Sequence, residues 1–375
     1  MNIKNLSKTN TLVNLANSIL KFYGCETYHD SLKEIDDLLV KSGRKKICLF
    51  LFDAFGACIL EKYKEAAPYM YDHRFMVINS VFPTTTVAAT TAITTGRYPI
   101  ETGYMGWCQY FSKANKTYEV FSSKNWCNPL DKFPVGITNS ILKINYITDD
   151  INKKANKTIS SMVMSFNYES KLGLCASNRK WEKYVEESLK NNLFTYAYNI
   201  NPDHLMHVHG TKSTSVKHVI KNINHIVKHL TKKYPDTLFL CISDHGMVDT
   251  EFIQINSIPG FVDCLKRDCI TIETRASTFF VKEDKKEDFL KIYHNTPILK
   301  DNFYIQDREE VLANHIFGYT DKANRISLDT IGDFTLFAHE KYCLTDRYHD
   351  GDMKASHAGM TDDEINIYLQ AYNCD

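Results

Sequence analysis

Residues 45–56 read KKICLFLFDAFG, and this stretch sets the fold. After two lysines come six consecutive apolar residues, Ile47 to Phe52, and the run then stops at Asp53 and Gly56. A run this short, with no alternation of polar residues, suits a strand buried on both faces, as in a parallel sheet covered by helices. Its carboxyl end carries an aspartate.

The same order of events recurs along the chain. FMVINSVFP, residues 75–83, runs into the threonine-rich stretch FPTTTVAATTAITTG, residues 82–96. LFTYAYNINPDH, residues 193–204, runs into Asp203, and TLFLCISDHG, residues 237–246, into Asp244 and His245. Between the last two, Val216, Val219, Ile220, Ile223, Ile226, Val227 and Leu230 repeat at helical spacing. Strand, helix and strand therefore alternate, which predicts an α/β fold with a mostly parallel central sheet and helices on both faces.

Residues 1–44 are expected to form N-terminal helices packed on that core. The second is signalled by a capping box, Ser31 to Glu34, an apolar stripe of Ile35, Leu38 and Leu39, and a closing Gly43. The core is expected to comprise residues 45–260 and 336–375, with cap elements within 104–190. CITIETRASTFFVK, KEDFLKIYH and DNFYIQDREEVLANHIFG read as strand, helix and strand, so residues 261–335 are expected to form a small inserted α+β cap. DFTLFAH, residues 333–339, then reads as the final core strand.

Lys plus Arg and Asp plus Glu both number 45, for a formal net charge of zero. That balance lacks the basic field nucleic-acid binders use, so polymeric DNA or RNA is not expected as a partner. The 11 cysteines include no CxxC pair and read as free thiols of a reducing compartment. The N-terminus lacks the apolar core of a signal peptide, and no apolar run approaches the roughly 18 residues of a membrane span. A cytoplasmic protein without a membrane partner is the expectation.

In open α/β sheets ligands bind beyond the carboxyl ends of the strands, where Asp53, the threonines, Asp203 and the Asp244–His245 pair all fall. Any one aspartate after a strand is ordinarily a turn or cap residue. Together, with histidines beside two of them, they form a set of carboxylates and imidazoles that a divalent cation would neutralise. Asp203 and His207, four apart, would share one face of a helical turn. His357 follows late, in the small-residue loop SHAG, ahead of a capping box from Thr361 to Glu364.

LFDAFG, PTTT with TTG, PDHLMHVHG, SDHG and SHAG stand in the order found in the alkaline phosphatase superfamily, and most closely resemble its type I phosphodiesterase and nucleotide pyrophosphatase branch. The resemblance spans Asp53 to His357. It implies a metal-dependent phosphohydrolase that cleaves phosphodiester or nucleotide pyrophosphate bonds through a phospho-threonine intermediate. By it, Asp53, Thr86, Asp244 and His245 would hold one divalent ion and Asp203, His207 and His357 another, zinc being expected and manganese the alternative. Thr86 would be the nucleophile, since coordination lowers a hydroxyl's pKa as it does that of water. The substrate would be a small phosphorylated molecule such as a nucleotide. The backbone N–H of Val87 would receive a phosphate oxygen, and Tyr104 and Trp107 would stack on a base or leaving group unless they belong to the core.

The family's phosphodiesterases often follow their threonine with Phe-Pro-Asn, the asparagine holding a phosphate oxygen, whereas this chain has Val87-Ala88-Ala89. A metal-dependent phosphomonoesterase or a sugar-phosphate phosphomutase using the same site therefore remains an alternative, with non-enzymatic phosphate binding a weaker one. Sulfatase chemistry is disfavoured, because no Cys-x-Pro-x-Arg segment is present. Thr84 and Thr85 are rivals to Thr86. Thr90, Thr91, Thr94 and Thr95 are expected to pack or to bond back to helix carbonyls. His225 and His229 read as solvated helix residues, Arg97 as a surface arginine, and His204 and His209 as loop residues flanking the Asp203 motif.

Overall fold

The structure, a computed structural model, describes residues 8–128, 130–133, 136–165, 178–267, 269–346 and 353–374. Its central sheet has six strands in the order Arg74–Asn79, Asn366–Tyr372, Thr237–Ile242, Lys46–Phe52, Phe194–Asn199 and Ser160–Met164. Lys46–Phe52 is central and runs parallel to both of its neighbours. Asn366–Tyr372 runs antiparallel to both of its neighbours, and the other five strands all run one way. The predicted sheet is therefore mostly parallel, with helices on both sides.

Side-chain alternation in Lys46–Phe52 explains why the run had to be apolar throughout. Ile47, Leu49 and Leu51 enter one core, together with Leu15 and Ile19 of the helix Leu12–Phe22 and Ala88, Ala92 and Ile93 of the helix Thr86–Thr95. Cys48, Phe50 and Phe52 enter the other, with Trp181 and Val185 of the helix Asn178–Asn191 and Ile220, Ile223 and Val227 of the helix Thr214–Lys233. Buried apolar side chains contribute about 1.5–3 kcal/mol each relative to exposure, so a polar residue at any of the six positions would be costly.

The N-terminal segment lies on the helix Thr86–Thr95. Asn17 of the first helix donates to Gly96 O at 2.9 Å and accepts from Tyr28 N at 2.7 Å, pinning the end of that helix. The second helix, Lys33–Lys41, starts after Leu32 rather than with the expected box, because the Ser31 hydroxyl is drawn to Asp36 at 2.7 Å.

A second six-stranded sheet, antiparallel throughout, has the order Phe303–Asp307, Phe334–Ala338, Ala276–Phe279, Thr271–Ile272, Cys108–Phe111 and Lys116–Glu119. Phe334–Ala338, read above as the final core strand, belongs here, paired with Ala276–Phe279 and Phe303–Asp307. The sixth core strand is instead Asn366–Tyr372. A five-residue apolar strand carries no signal for which sheet it joins, and the hairpin register decides. Of the expected cap region within 104–190, residues 129, 134, 135 and 166–177 lie outside the described residues. Among the described residues no helix is long and apolar enough to cross a membrane.

Candidate active site

The carboxyl ends of the parallel strands converge as the strand pattern requires. Asp53 follows Lys46–Phe52 directly, and its carbonyl accepts from Asp203 N at 3.1 Å, tying the turn after Phe194–Asn199 to it. Asp203 opens the helix Asp203–His209, so His207 lies one turn on, its Nε2 3.3 Å from Asp203 Oδ1. Asp244 Oδ1 accepts from Ala54 N and from His245 N, both at 3.0 Å. His245 Nε2 stands 3.4 Å from Asp53 Oδ1 and 3.5 Å from Asp244 Oδ2. His357 arrives from the far end of the chain, its Nε2 3.7 Å from Asp203 Oδ1 and its ring stacked on that of His245 at 3.9 Å. All seven residues assigned to metal by the resemblance thus meet at one place.

Two contacts make that meeting possible. Gly56 and Gly246 face one another so closely that a Cβ on Gly56 would lie 2.6 Å from Gly246 Cα, and one on Gly246 would lie 1.8 Å from Asp363 O. The loop carrying His357 is held by Glu364, fully buried, whose carboxylate accepts from Gly359 N at 2.7 Å and the Thr361 hydroxyl at 2.7 Å. Arg275, also fully buried, pairs with it through two hydrogen bonds of 2.7 and 2.8 Å. Thr361 and Glu364 form the expected capping box.

The threonine stretch resolves into distinct roles. The Thr84 hydroxyl donates to Gly359 O at 3.0 Å and that of Thr85 to Glu273 Oε1 at 2.6 Å. Within the helix, the hydroxyls of Thr90, Thr94 and Thr95 donate to the carbonyls of Thr86, Thr90 and Thr91 at 2.6, 2.6 and 2.8 Å, the back-bonding expected of them. Thr86, the first helical residue, points its Oγ1 into the acidic cluster, 3.3 and 3.4 Å from the Asp53 oxygens and 3.2 Å from His245 Nε2. Its rivals Thr84 and Thr85 turn their hydroxyls elsewhere.

The imidazoles carry the clearest chemical signature. Nδ1 of His207 lies 2.8 Å from Ala355 O, Nδ1 of His245 2.9 Å from Gly246 O, and Nδ1 of His357 3.1 Å from Thr84 O. A carbonyl can only accept, so each Nδ1 carries a proton and it is Nε2 of each ring that faces the cluster. Backbone-oriented imidazoles of this kind are how proteins set a histidine to bind a metal. Asp203 Oδ1 and Asp244 Oδ2 are buried without a hydrogen-bond donor, and the ligand atoms of Asp53, Asp244 and His245 lie within 4.8 Å of one another, as do those of Asp203, His245 and His357. The residues fit divalent cations.

Electrostatics agree with that fit. Burial, then the charges of Asp244 and Asp203, push Asp53 well above the ordinary carboxylate range, although Tyr198 donates to it. Asp203 is displaced the other way: burial raises it, but the neighbouring His207, His357 and His245 outweigh that and hold it low. Burial and the nearby His245 drive His357 well below its usual range, while Asp203 offsets the burial of His207 and lifts it to about 8. These opposed shifts mark a cluster of ionisable groups with an unbalanced charge.

Two cavities flank Thr86. One, of about 350 Å³, is lined by Thr86, Asp203, His204, His207, His357, Glu273 and Trp107. The other, of about 440 Å³, runs along Thr90, Thr91 and Thr94 and is walled by Tyr104, Phe121, Met162, Met164 and Tyr198. Trp107, 40% exposed, meets the equally open Phe121 edge to face between them. Tyr104 is buried, its hydroxyl bonded to Leu142 O at 2.8 Å, so only its ring edges the second cavity. The Val87 side chain is core, packed with Tyr104 and Phe111. Arg97 lies over the Tyr28 ring, 3.5 Å from its centroid, and His229 is near the surface beside Glu186. Glu273 was not singled out in the sequence, because a glutamate between two short strands carries no spacing signal. Burial first, opposed by hydrogen bonds from Thr85 and Trp107, raises its carboxyl to about 7.

A family model described as type I phosphodiesterase / nucleotide pyrophosphatase matches residues 47–361. No curated protein matches the chain. Among solved structures, murine ectonucleotide pyrophosphatase / phosphodiesterase 5 is similar at a TM-score of 0.64 and 16% identity, over 87% of this chain and 88% of that one. An inactive threonine-to-alanine form of the murine protein, in complex with AMP, gives 0.63 and 16% over 87% of each chain. The human protein gives 0.62 and 17%, again over 87% of each. At these identities the likeness shows the fold.

Proposed function

The chain belongs to the type I phosphodiesterase / nucleotide pyrophosphatase family of metal-dependent hydrolases, and from that premise we propose that it cleaves phosphodiester or nucleotide pyrophosphate bonds with Thr86 as a covalent nucleophile at a two-zinc site. The observation that carries this reading is the set of three Nε2 atoms, on His207, His245 and His357, turned inward by their Nδ1–carbonyl contacts and gathered with three carboxylates around the cluster that Thr86 Oγ1 enters.

Asp53, Thr86, Asp244 and His245 would hold one ion, and Asp203, His207 and His357 the other. Divalent ions so bound lower the pKa of an attached hydroxyl and draw charge from oxygens that become anionic. Asp53 and His245 orient the Thr86 hydroxyl, whose proton is released to solvent. Oγ1 then bonds to phosphorus as the bond to the leaving group breaks, leaving Thr86 phosphorylated. Water hydrolyses that ester and restores the threonine. The unpartnered N–H groups of the first helical turn, that of Val87 among them, receive a phosphoryl oxygen. The murine neighbour bound to AMP supports a nucleotide as substrate, and the two cavities beside Thr86 offer room for the two arms of a diester.

The test uses chelated protein reloaded with zinc or manganese and offered a chromogenic diester and a chromogenic monoester. Turnover of the diester with zinc is expected. Thr86→Ala is expected to abolish turnover while keeping most of the zinc, because one hydroxyl is a minor share of the ligands. Undiminished activity of that variant would remove Thr86 from its role.

A further inference from the structure

We propose that the buried side chain of Glu273, which reaches the reaction cavity from the second sheet, is a specificity-determining group that disfavours the dianion of a phosphate monoester relative to the monoanion of a diester. The proposal rests on the reading of this cavity as a site of phosphoryl transfer.

Glu273 joins Thr271–Ile272 to Ala276–Phe279, and it lines the same cavity as Thr86, Asp203, His207 and His357. Its Oε1 accepts two hydrogen bonds, from the Thr85 hydroxyl at 2.6 Å and from Trp107 N at 2.8 Å. Both donors are neutral, and among the described residues no lysine or arginine forms an ion pair with it. Its charge is therefore available to the cavity. Ile272, just before it, has a φ of 76°, a left-handed conformation costly for a β-branched residue. The chain is pressed there against Gly106, where a Cβ would lie 2.5 Å from Ile272 O. Backbone held in that strain fixes where Glu273 points.

Charge balance gives the consequence. In the resting site, before Thr86 gives up its proton, Asp53, Asp203 and Asp244 would offset three of the four positive charges that two divalent ions bring to this cluster, and Glu273 would offset the fourth. A site left with a surplus positive charge would favour the substrate bearing the extra negative one; a balanced site does not. The carboxylate also stands beside the turn that carries Thr86, where an added phosphate charge must lie.

The substitution Glu273→Gln keeps a carbonyl oxygen for both hydrogen bonds and removes the charge, whereas Glu273→Ala removes both. Zinc-loaded wild type, E273Q and E273A are compared above about pH 8, where the wild-type group is ionised, by kcat/KM for bis(4-nitrophenyl) phosphate and 4-nitrophenyl phosphate. Inorganic phosphate is also titrated calorimetrically, and zinc content is measured. Both variants are expected to lower the diester-to-monoester ratio roughly tenfold or more, the scale of one charge acting on another across a protein interior. E273Q is also expected to bind phosphate more tightly by a similar factor. Because both variants lose the charge, misfolding of one leaves the other to decide. An unchanged ratio and unchanged phosphate affinity in a zinc-replete variant would overturn the proposal. So would an equal shift in Thr85→Val that persists undiminished as the pH is raised well above 8, since that variant loses a hydrogen bond but regains the charge on further ionisation. Failure of wild type to turn over either ester would instead overturn the underlying assignment of function.

Discussion

Replacing Glu364 with alanine tests how the late histidine is held in place. Glu364 and Arg275 are both fully buried and joined by two hydrogen bonds. Deleting the carboxylate leaves a guanidinium in the interior held by the Glu340 and Tyr342 carbonyls without its countercharge, and removing one partner of a buried pair costs about 3–5 kcal/mol. Gly359 N and the Thr361 hydroxyl lose their acceptor too, so the loop bearing His357 keeps only part of its anchorage. Urea unfolding of chelated protein, followed by tryptophan fluorescence and circular dichroism, reads the stability, and competition with a chromophoric chelator reads zinc affinity. Zinc affinity is expected to fall about tenfold or more, as when groups that orient a ligand are removed. The double variant Arg275→Met/Glu364→Leu is expected to be less damaged than the sum of its single changes, since no charge is stranded. A cost under about 1 kcal/mol for Glu364→Ala, or strict additivity in the double variant, would refute this account of the pair.

Further outcomes follow from the same geometry. Gly246→Ala drives a methyl group to within 1.8 Å of Asp363 O, so the Asp244–His245 turn must move off the C-terminal segment; a loss of roughly 2 kcal/mol or more in urea unfolding is expected, with weakened zinc binding. Asp53→Asn removes one of three clustered carboxylates, two of them fully buried, so its melting temperature without metal is expected to rise above wild type while its zinc binding falls. Glu364 has an acid-side signature. Burial raises its carboxyl, but Arg275 and its hydrogen bonds outweigh that and hold it below the ordinary value of 4.5. Its stabilisation is therefore complete above that value and lost as pH falls through the folded-state pKa, so acid unfolding of wild type is expected to be steeper there than that of Glu364→Gln.

The sequence was most legible where one residue type had to satisfy one constraint. Lys46–Phe52 is apolar at every position because both of its faces are covered, and the residues after the strands stand out because nothing in a core calls for them. The i,i+4 spacing of Asp203 and His207 translated directly into a contact of 3.3 Å. Phe334–Ala338 was misread because short apolar strands look alike whichever sheet they join. The Ser31 box failed because an acidic residue five positions on, Asp36, captured the hydroxyl first. Glu273 and Arg275 escaped notice because their importance lies in partners far away in the chain, Thr85 and Glu364, and no local pattern encodes such a pairing.

The position of Asn366–Tyr372 in the central sheet bears on how the molecule is made. This strand sits between Arg74–Asn79 and Thr237–Ile242, so on a ribosome those two wait without the partner that joins them until nearly three hundred more residues than the first of them have been translated. Until then each offers an open row of backbone donors and acceptors, the kind of edge that invites pairing between nascent chains. Shielding by a chaperone would matter most in that interval, and a nonsense mutation ahead of residue 366 would leave the sheet permanently divided.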